Sequence, residues 1–236
     1  MSGPNKKRWL FWLILTGICV AAMAACTAVP RPSDASGDGK SVDFEELQAR
    51  NPEIYAWLSF PEAGVSAPVL QHVGATNDEE DEYYLNRDVD GSPSSDGSLF
   101  TQYRYNTTDF SDPVTVIYGH RRSLFGQLQS WCQQAQLGED TTFTIYLPGR
   151  QLTYQVFAGI PYDNSHVMYY HDFTSERVYA KFFRDVFATN DTRANLDWSG
   201  TPSFGDRVVI LATCQEGDET QRYLTMGVLV GDAAMT

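Results

Sequence analysis

Between Thr142 and Val156 the side chains alternate apolar and polar with a period of two, as TFTIYL (142–147) and LTYQV (152–156), on either side of Pro148-Gly149. That pattern predicts a β-hairpin, and it commits the chain to a sheet with two different faces. Further strand-like runs lie at 98–103, 114–118, 207–213 and 223–230. Two stretches break the series. Leu124, Leu128, Trp131 and Cys132 fall on one helical face, and 174–188 carries Val178, Phe182, Phe183 and Val186 on another. At the start of the domain, Phe44 and Leu47 and then Ile54, Tyr55 and Leu58 recur near helical spacing, with Pro52 opening a second short helix. Many short strands with a few helices predict a mainly β fold, a closed or nearly closed barrel with helical decorations, and not a doubly wound parallel sheet.

The 236 residues divide at their N-terminal end. No charge occurs between Arg8 and Arg31, and residues 9–29 form an apolar stretch after Lys6-Lys7-Arg8. At about 1.5 Å per residue this stretch would span roughly 30 Å as a helix. It predicts a cytoplasmic tip and membrane anchor over 1–29, with the remainder outside the cell as a single-pass membrane protein. Two other readings stay open: a cleaved signal peptide ending among Ala21 to Ala25, or a loose lipoprotein box, Met23 to Cys26, with Cys26 lipidated. Residues 30–42 are rich in Pro, Gly, Ser and Asp and read as a flexible linker, which leaves one domain, 43–236.

Charge excludes one large class of function. All 30 acids lie beyond residue 29, so the chain from residue 30 onward carries a net charge of −16. A nucleic-acid partner would need a basic footprint and is not expected.

Cysteine and histidine bound the chemistry. His72, His120, His166 and His171 show no metal-binding spacing, the cysteines at 19, 26, 132 and 214 include no CxxC, and neither metal nor cofactor is expected. Cys132 belongs to a helix face with Leu and Trp and reads as packing, directed away from any bridge to Cys214. Cys214 ends a strand just before the polar loop QEGDETQ (215–221), where a scaffold can present a nucleophile. If Cys214 and Arg222 flank that loop as opposed positions, their Cβ atoms lie on one face about 5 Å apart, and a guanidinium stands beside the sulfur. It could favour a thiolate or bind an oxyanion, or it could merely pair with Asp218 or Glu219 at a solvated turn. His120 likewise follows a strand end, after Tyr118-Gly119, and a histidine near a cysteine can exchange its proton. His72 and His166 read as loop residues, and His171 beside Tyr169-Tyr170 as packing.

The order Tyr118-Gly119-His120, then Leu211-Ala212-Thr213-Cys214, then Arg222 before a last apolar strand resembles the sortase family of cysteine transpeptidases. The family motif TLxTC is met by residues 210–214 except for Ile210 at its first position. The likeness extends through the exported domain and is greatest to class B, on NPEIYAWL (51–58), APVLQ (67–71), YYL (83–85), GSLF (97–100) and the long helix near 174–188. Arg121-Arg122 after the histidine and the acidic run DEEDE (78–82), read as a solvated loop, depart from the class.

The resemblance implies an eight-stranded sortase barrel with N-terminal helices and one long helix between late strands. It implies transpeptidation at the C-terminal sorting signal of a surface protein, with Cys214 as nucleophile, His120 as acid and base, and Arg222 on the oxyanion and substrate backbone. The acceptor would be a peptidoglycan amine or a pilin lysine. A papain-like protease has the opposite Cys-to-His order, and a caspase-like one lacks the hairpin arginine. A non-catalytic exported lipoprotein is the alternative from another class. Glu216, Asp218 and Glu219, in the loop before Arg222, add the expectation of an acidic rim that attracts a cationic acceptor.

Overall fold

The computed structural model describes residues 42–215 and 218–235, the side chains at 214, 215, 218 and 219 excepted. Helix α1 (Phe44–Arg50) starts at Asp43, whose carboxylate accepts from the Glu46 amide at 2.9 Å. It ends at Asn51, and no second N-terminal helix follows. Instead Ile54–Phe60 is strand β1, buried at every position. A strand covered on both faces loses its alternation, so the spacing of Ile54, Tyr55 and Leu58 is no guide to a helix there.

Strand β2 (Val65–Gln71) returns antiparallel to β1 through a turn at Pro61–Ala63, closed by Gly64 at φ 68°. Helix α2 (Asp78–Asp81) is a single turn capped by Asn77. The acidic run is therefore no solvated loop throughout: Asp81 is buried, and the Arg104 Nε donates to it at 2.6 Å. Strands β3 (Leu99–Thr101) and β4 (Val114–Tyr118), helix α3 (Leu128–Gln134) and the hairpin of β5 (Thr142–Leu147) and β6 (Arg150–Tyr162) follow. Then come α4 (Val167–Tyr170), α5 (Glu176–Phe187), the two-residue β7 (Asn195–Leu196), β8 (Val208–Gln215) and β9 (Asp218–Ala234).

Hydrogen bonding runs β5-β1-β2-β3-β4-β8-β9-β6, and β6 pairs again with β5, which closes an eight-stranded barrel with β7 appended to β6. The β2–β3 and β4–β8 pairs are parallel and the others antiparallel. Beyond its pairing with β3 at Tyr118, β4 is completed by a side chain: the Asn106 carboxamide accepts from the Val116 amide at 3.0 Å and donates to the Val114 carbonyl at 2.8 Å.

Successive residues of β8 go to opposite cores. Val209 and Leu211 join Leu58, Phe60, Val69, Phe143 and Tyr154 in the cluster that fills the barrel. Val208, Ile210 and Ala212 join Val114, Val116, Leu224 and Met226 in a second cluster outside the wall, under Phe182, Phe183, Val186 and Phe187 of α5. Each of these large side chains contributes about 1.5–3 kcal/mol by leaving water. Helix α3 seats through Cys132, a free and buried thiol, against Gly159, where an added Cβ would stand 2.2 Å from the sulfur.

The expectation of a single-pass membrane protein is corrected: among the described residues no helix is long and apolar enough to cross a membrane. The longest, α5, has 12 residues and reaches about 18 Å. The 9–29 stretch on which that expectation rested lies outside the described residues, as do the 1–29 segment and all but the last residue of the 30–42 linker.

Candidate active site

Two registers bring the three sequence candidates to one end of the sheet. Strands β4 and β8 run parallel from Val114 opposite Val208 to Tyr118 opposite Ala212, and the Gly119 amide continues the ladder onto the Ala212 carbonyl at 3.2 Å. Strand β4 ends at Tyr118, and His120 follows Tyr118 by two residues as Cys214 follows Ala212. Strand β9 then lies antiparallel to β8 with Cys214 and Arg222 as direct Cα partners, and Tyr162 of β6 faces Arg222 from the other side. Opposed Cα atoms in such a ladder stand about 5 Å apart. The conditional reading of Cys214 and Arg222 as opposed positions is therefore met by the backbone. The acidic side chains proposed for the rim, Glu216, Asp218 and Glu219, lie outside the described residues, as does the Cys214 side chain.

His120 is half-buried and held by its surroundings. Its Nε2 lies 2.6 Å from the Leu85 carbonyl oxygen, and its own carbonyl accepts from the Ser123 and Phe125 amides at 3.2 and 3.1 Å. Two glycines make this approach possible. At Gly119 an added Cβ would stand 2.5 Å from Leu99 Cδ2. At Gly97, in the left-handed region at φ 59°, it would stand 2.3 Å from the Leu85 oxygen and 3.0 Å from the His120 ring.

Two further side chains flank the site and were not singled out from the sequence. The Tyr118 ring stacks on Phe100 at 5.5 Å, and burial raises its phenol above the ordinary value, with Glu82 adding to the rise and Arg222 opposing it. His166 caps α4 by accepting from the Tyr169 amide at 3.0 Å through Nδ1. Its ring packs 4.9 Å from Tyr105 and 6.4 Å from Tyr118, and burial lowers its pKa. Tyr118 could have been found from its place two residues before His120. Nothing in the sequence ties His166 to β4.

The remaining histidines sit elsewhere. His72 pairs with Glu53 at 3.1 Å and stacks on Tyr83, so it is no isolated loop residue. His171 does pack, but on Phe173 and Phe182, while the adjacent Tyr169 and Tyr170 are exposed.

No family model matches the sequence. Sortase B of Listeria monocytogenes is 27% identical over 195 residues, 80% of this chain and 74% of its own length. Sortase B of Staphylococcus aureus is 23% identical over 192 residues, 79% of this chain and 74% of its own length. Among solved structures, a class B sortase of Streptococcus pyogenes involved in pilus biogenesis superposes with a TM-score of 0.62 at 25% identity, covering 80% of this chain and 98% of that one. Clostridium perfringens sortase B gives a TM-score of 0.64 at 20% identity, covering 79% and 99%. Sequence likeness across four-fifths of the chain and a shared closed barrel together support a sortase of the class B kind, a cysteine transpeptidase.

Proposed function

We propose that residues 43–236 form a catalytic unit that cleaves a C-terminal sorting signal of a surface protein after threonine and transfers the protein to an amine. Cys214 attacks the threonine carbonyl to give a thioester, and the departing amine takes its proton from His120. An amine of peptidoglycan or of its precursor then attacks the thioester and gives a proton back to His120. Arg222 donates hydrogen bonds to the oxyanion and to the substrate backbone. The observation that carries this reading is the pair of registers: β4 pairs with β8 up to Tyr118 opposite Ala212, each two residues short of His120 and Cys214, and β9 sets Arg222 opposite Cys214.

A peptide library with a fixed threonine, followed by mass spectrometry of the protein, tests it. An acyl adduct on Cys214, and diversion of product from free acid to amide by added amine, are expected. Product that stays free acid at every amine concentration would make the protein a hydrolase. A pilin lysine as the acceptor is the second reading, favoured by the likeness to the streptococcal enzyme involved in pilus biogenesis.

A further inference from the structure

The contact between His120 Nε2 and the Leu85 carbonyl oxygen, at 2.6 Å, decides where the imidazole keeps its proton. A carbonyl only accepts, so Nε2 must donate, and Nδ1 becomes the ring atom that gains and loses a proton. The carbonyl belongs to a short turn of 3-10 helix, Tyr83–Asn86, whose position is fixed by several contacts. The Leu85 amide donates to the Glu82 carbonyl at 2.9 Å, and the preceding carbonyl, of Tyr84, accepts from the Ser98 amide at 3.0 Å. Gly97 lies against the Leu85 oxygen with no room for a side chain.

A further contact is remote from the site. The Tyr84 hydroxyl donates to Glu53 Oε2 at 2.6 Å and accepts from the Asn51 carboxamide at 2.9 Å. The other oxygen of Glu53 accepts from the Val73 amide at 2.9 Å and meets His72 Nδ1 at 3.1 Å. The His72 ring in turn stacks on Tyr83 at 4.2 Å, with the Arg87 guanidinium 4.5 Å from the same Tyr83 ring. Glu53 thus ties the end of α1, the end of β2 and the 83–86 turn into one brace.

We propose that this brace is a positioning device for the reaction: through the Leu85 carbonyl it holds the His120 proton on Nε2 and makes Nδ1 the atom of proton transfer. The inference rests on the transpeptidase reading for its kinetic consequence. The Cys214 thiol proton passes to Nδ1 as the sulfur pair forms the S–C bond. The imidazolium returns that proton from Nδ1 to the leaving nitrogen as the peptide C–N bond breaks. The acceptor amine then gives a proton to Nδ1 as the new C–N bond forms, sulfur leaves as thiolate, and the thiolate takes the proton back. Leu85 and Glu53 touch no reacting atom, and a hydrogen bond to the second ring nitrogen is the usual means of fixing a tautomer.

The test reads the ring directly. Nitrogen-15 spectra of the His120 ring, in protein labelled at histidine, distinguish a proton on Nε2 from one on Nδ1. The wild type is expected to carry it on Nε2. Gly97→Ala pushes the Leu85 oxygen away, and Tyr84→Phe removes the tie to Glu53 without entering the site. Both should raise the Nδ1-protonated fraction and lower kcat for acylation with KM held within about twofold, Gly97→Ala by about tenfold or more and Tyr84→Phe by about threefold. An Nδ1-protonated ring in the wild type overturns the proposal, as do folded variants with unchanged spectra and unchanged kcat. If Gly97→Ala fails to fold, Tyr84→Phe decides alone. Because the spectra need no substrate, a wild type that no peptide acylates, yet whose ring is protonated at Nε2, overturns the transpeptidase reading and the kinetic half of this proposal but not the proton's place.

Discussion

Cys214 and Arg222 are Cα partners across the β8–β9 ladder, and the register between them slips only beyond Cys214, at Gln215. The guanidinium is thus delivered by a strand and not by a mobile loop. Under the proposed mechanism Arg222→Ala lowers kcat/KM for acylation about 100- to 1000-fold with an unchanged melting temperature. Arg222→Lys recovers little of it, since a point charge does not reproduce the two-pronged donor. Stopped-time mass spectrometry of the acyl adduct measures both variants, and full activity in Arg222→Lys would speak against an oxyanion role.

Gly119 is a packing requirement one residue before the histidine. An added Cβ would meet Leu99 at 2.5 Å and Phe125 at 2.8 Å, both buried in the barrel core. Gly119→Ala should cost about 1–3 kcal/mol in stability, as overpacking does, and should displace His120 as well. Urea unfolding gives the first quantity, and a stability equal to wild type would show that the core yields there.

The two thiols of the domain should differ in reactivity. Burial pushes the Cys132 thiol up to about 11, so at pH 8 almost none of it is thiolate. Iodoacetamide at that pH should leave the peptide containing Cys132 unmodified until the protein is unfolded. Rapid labelling of Cys132 in the native protein would contradict its burial between α3 and β6.

His166 links stability to acidity. Burial lowers its pKa in the folded state below the ordinary 6.5, so above that value both states are neutral and no proton is taken up on unfolding. Below it the unfolded chain binds the proton first, and this contribution to stability is lost as pH falls through the folded-state pKa. Melting temperatures between pH 8 and pH 5 should therefore fall less steeply in His166→Gln than in wild type. Parallel curves would remove His166 as the cause.

Much of this arrangement is legible in the sequence because polar residues follow the apolar runs of β4 and β8, so His120, just past the end of β4, and Cys214, in the last two residues of β8, announce themselves. The β5–β6 hairpin is legible for the same reason, with one face in the core and one in water. The opening of the domain is not: β1 is buried at all seven positions, and a helix and a doubly covered strand look alike there. The Leu85 carbonyl is equally hidden, since a backbone oxygen leaves no mark in the pattern of side chains. Gly97 is the one trace of it, a glycine whose φ of 59° and crowded Cβ position become meaningful only beside His120.

The parallel pairing of β4 with β8 joins parts of the chain that are far apart in sequence, and β9, which brings Arg222, comes last. Contacts of such long range form late and slowly. A nascent or truncated chain would hold its histidine and its cysteine on unpaired segments, each chemically ordinary. Under the proposed mechanism the Cys214 thiol would then stay inert throughout synthesis and become reactive only once the final strand is paired.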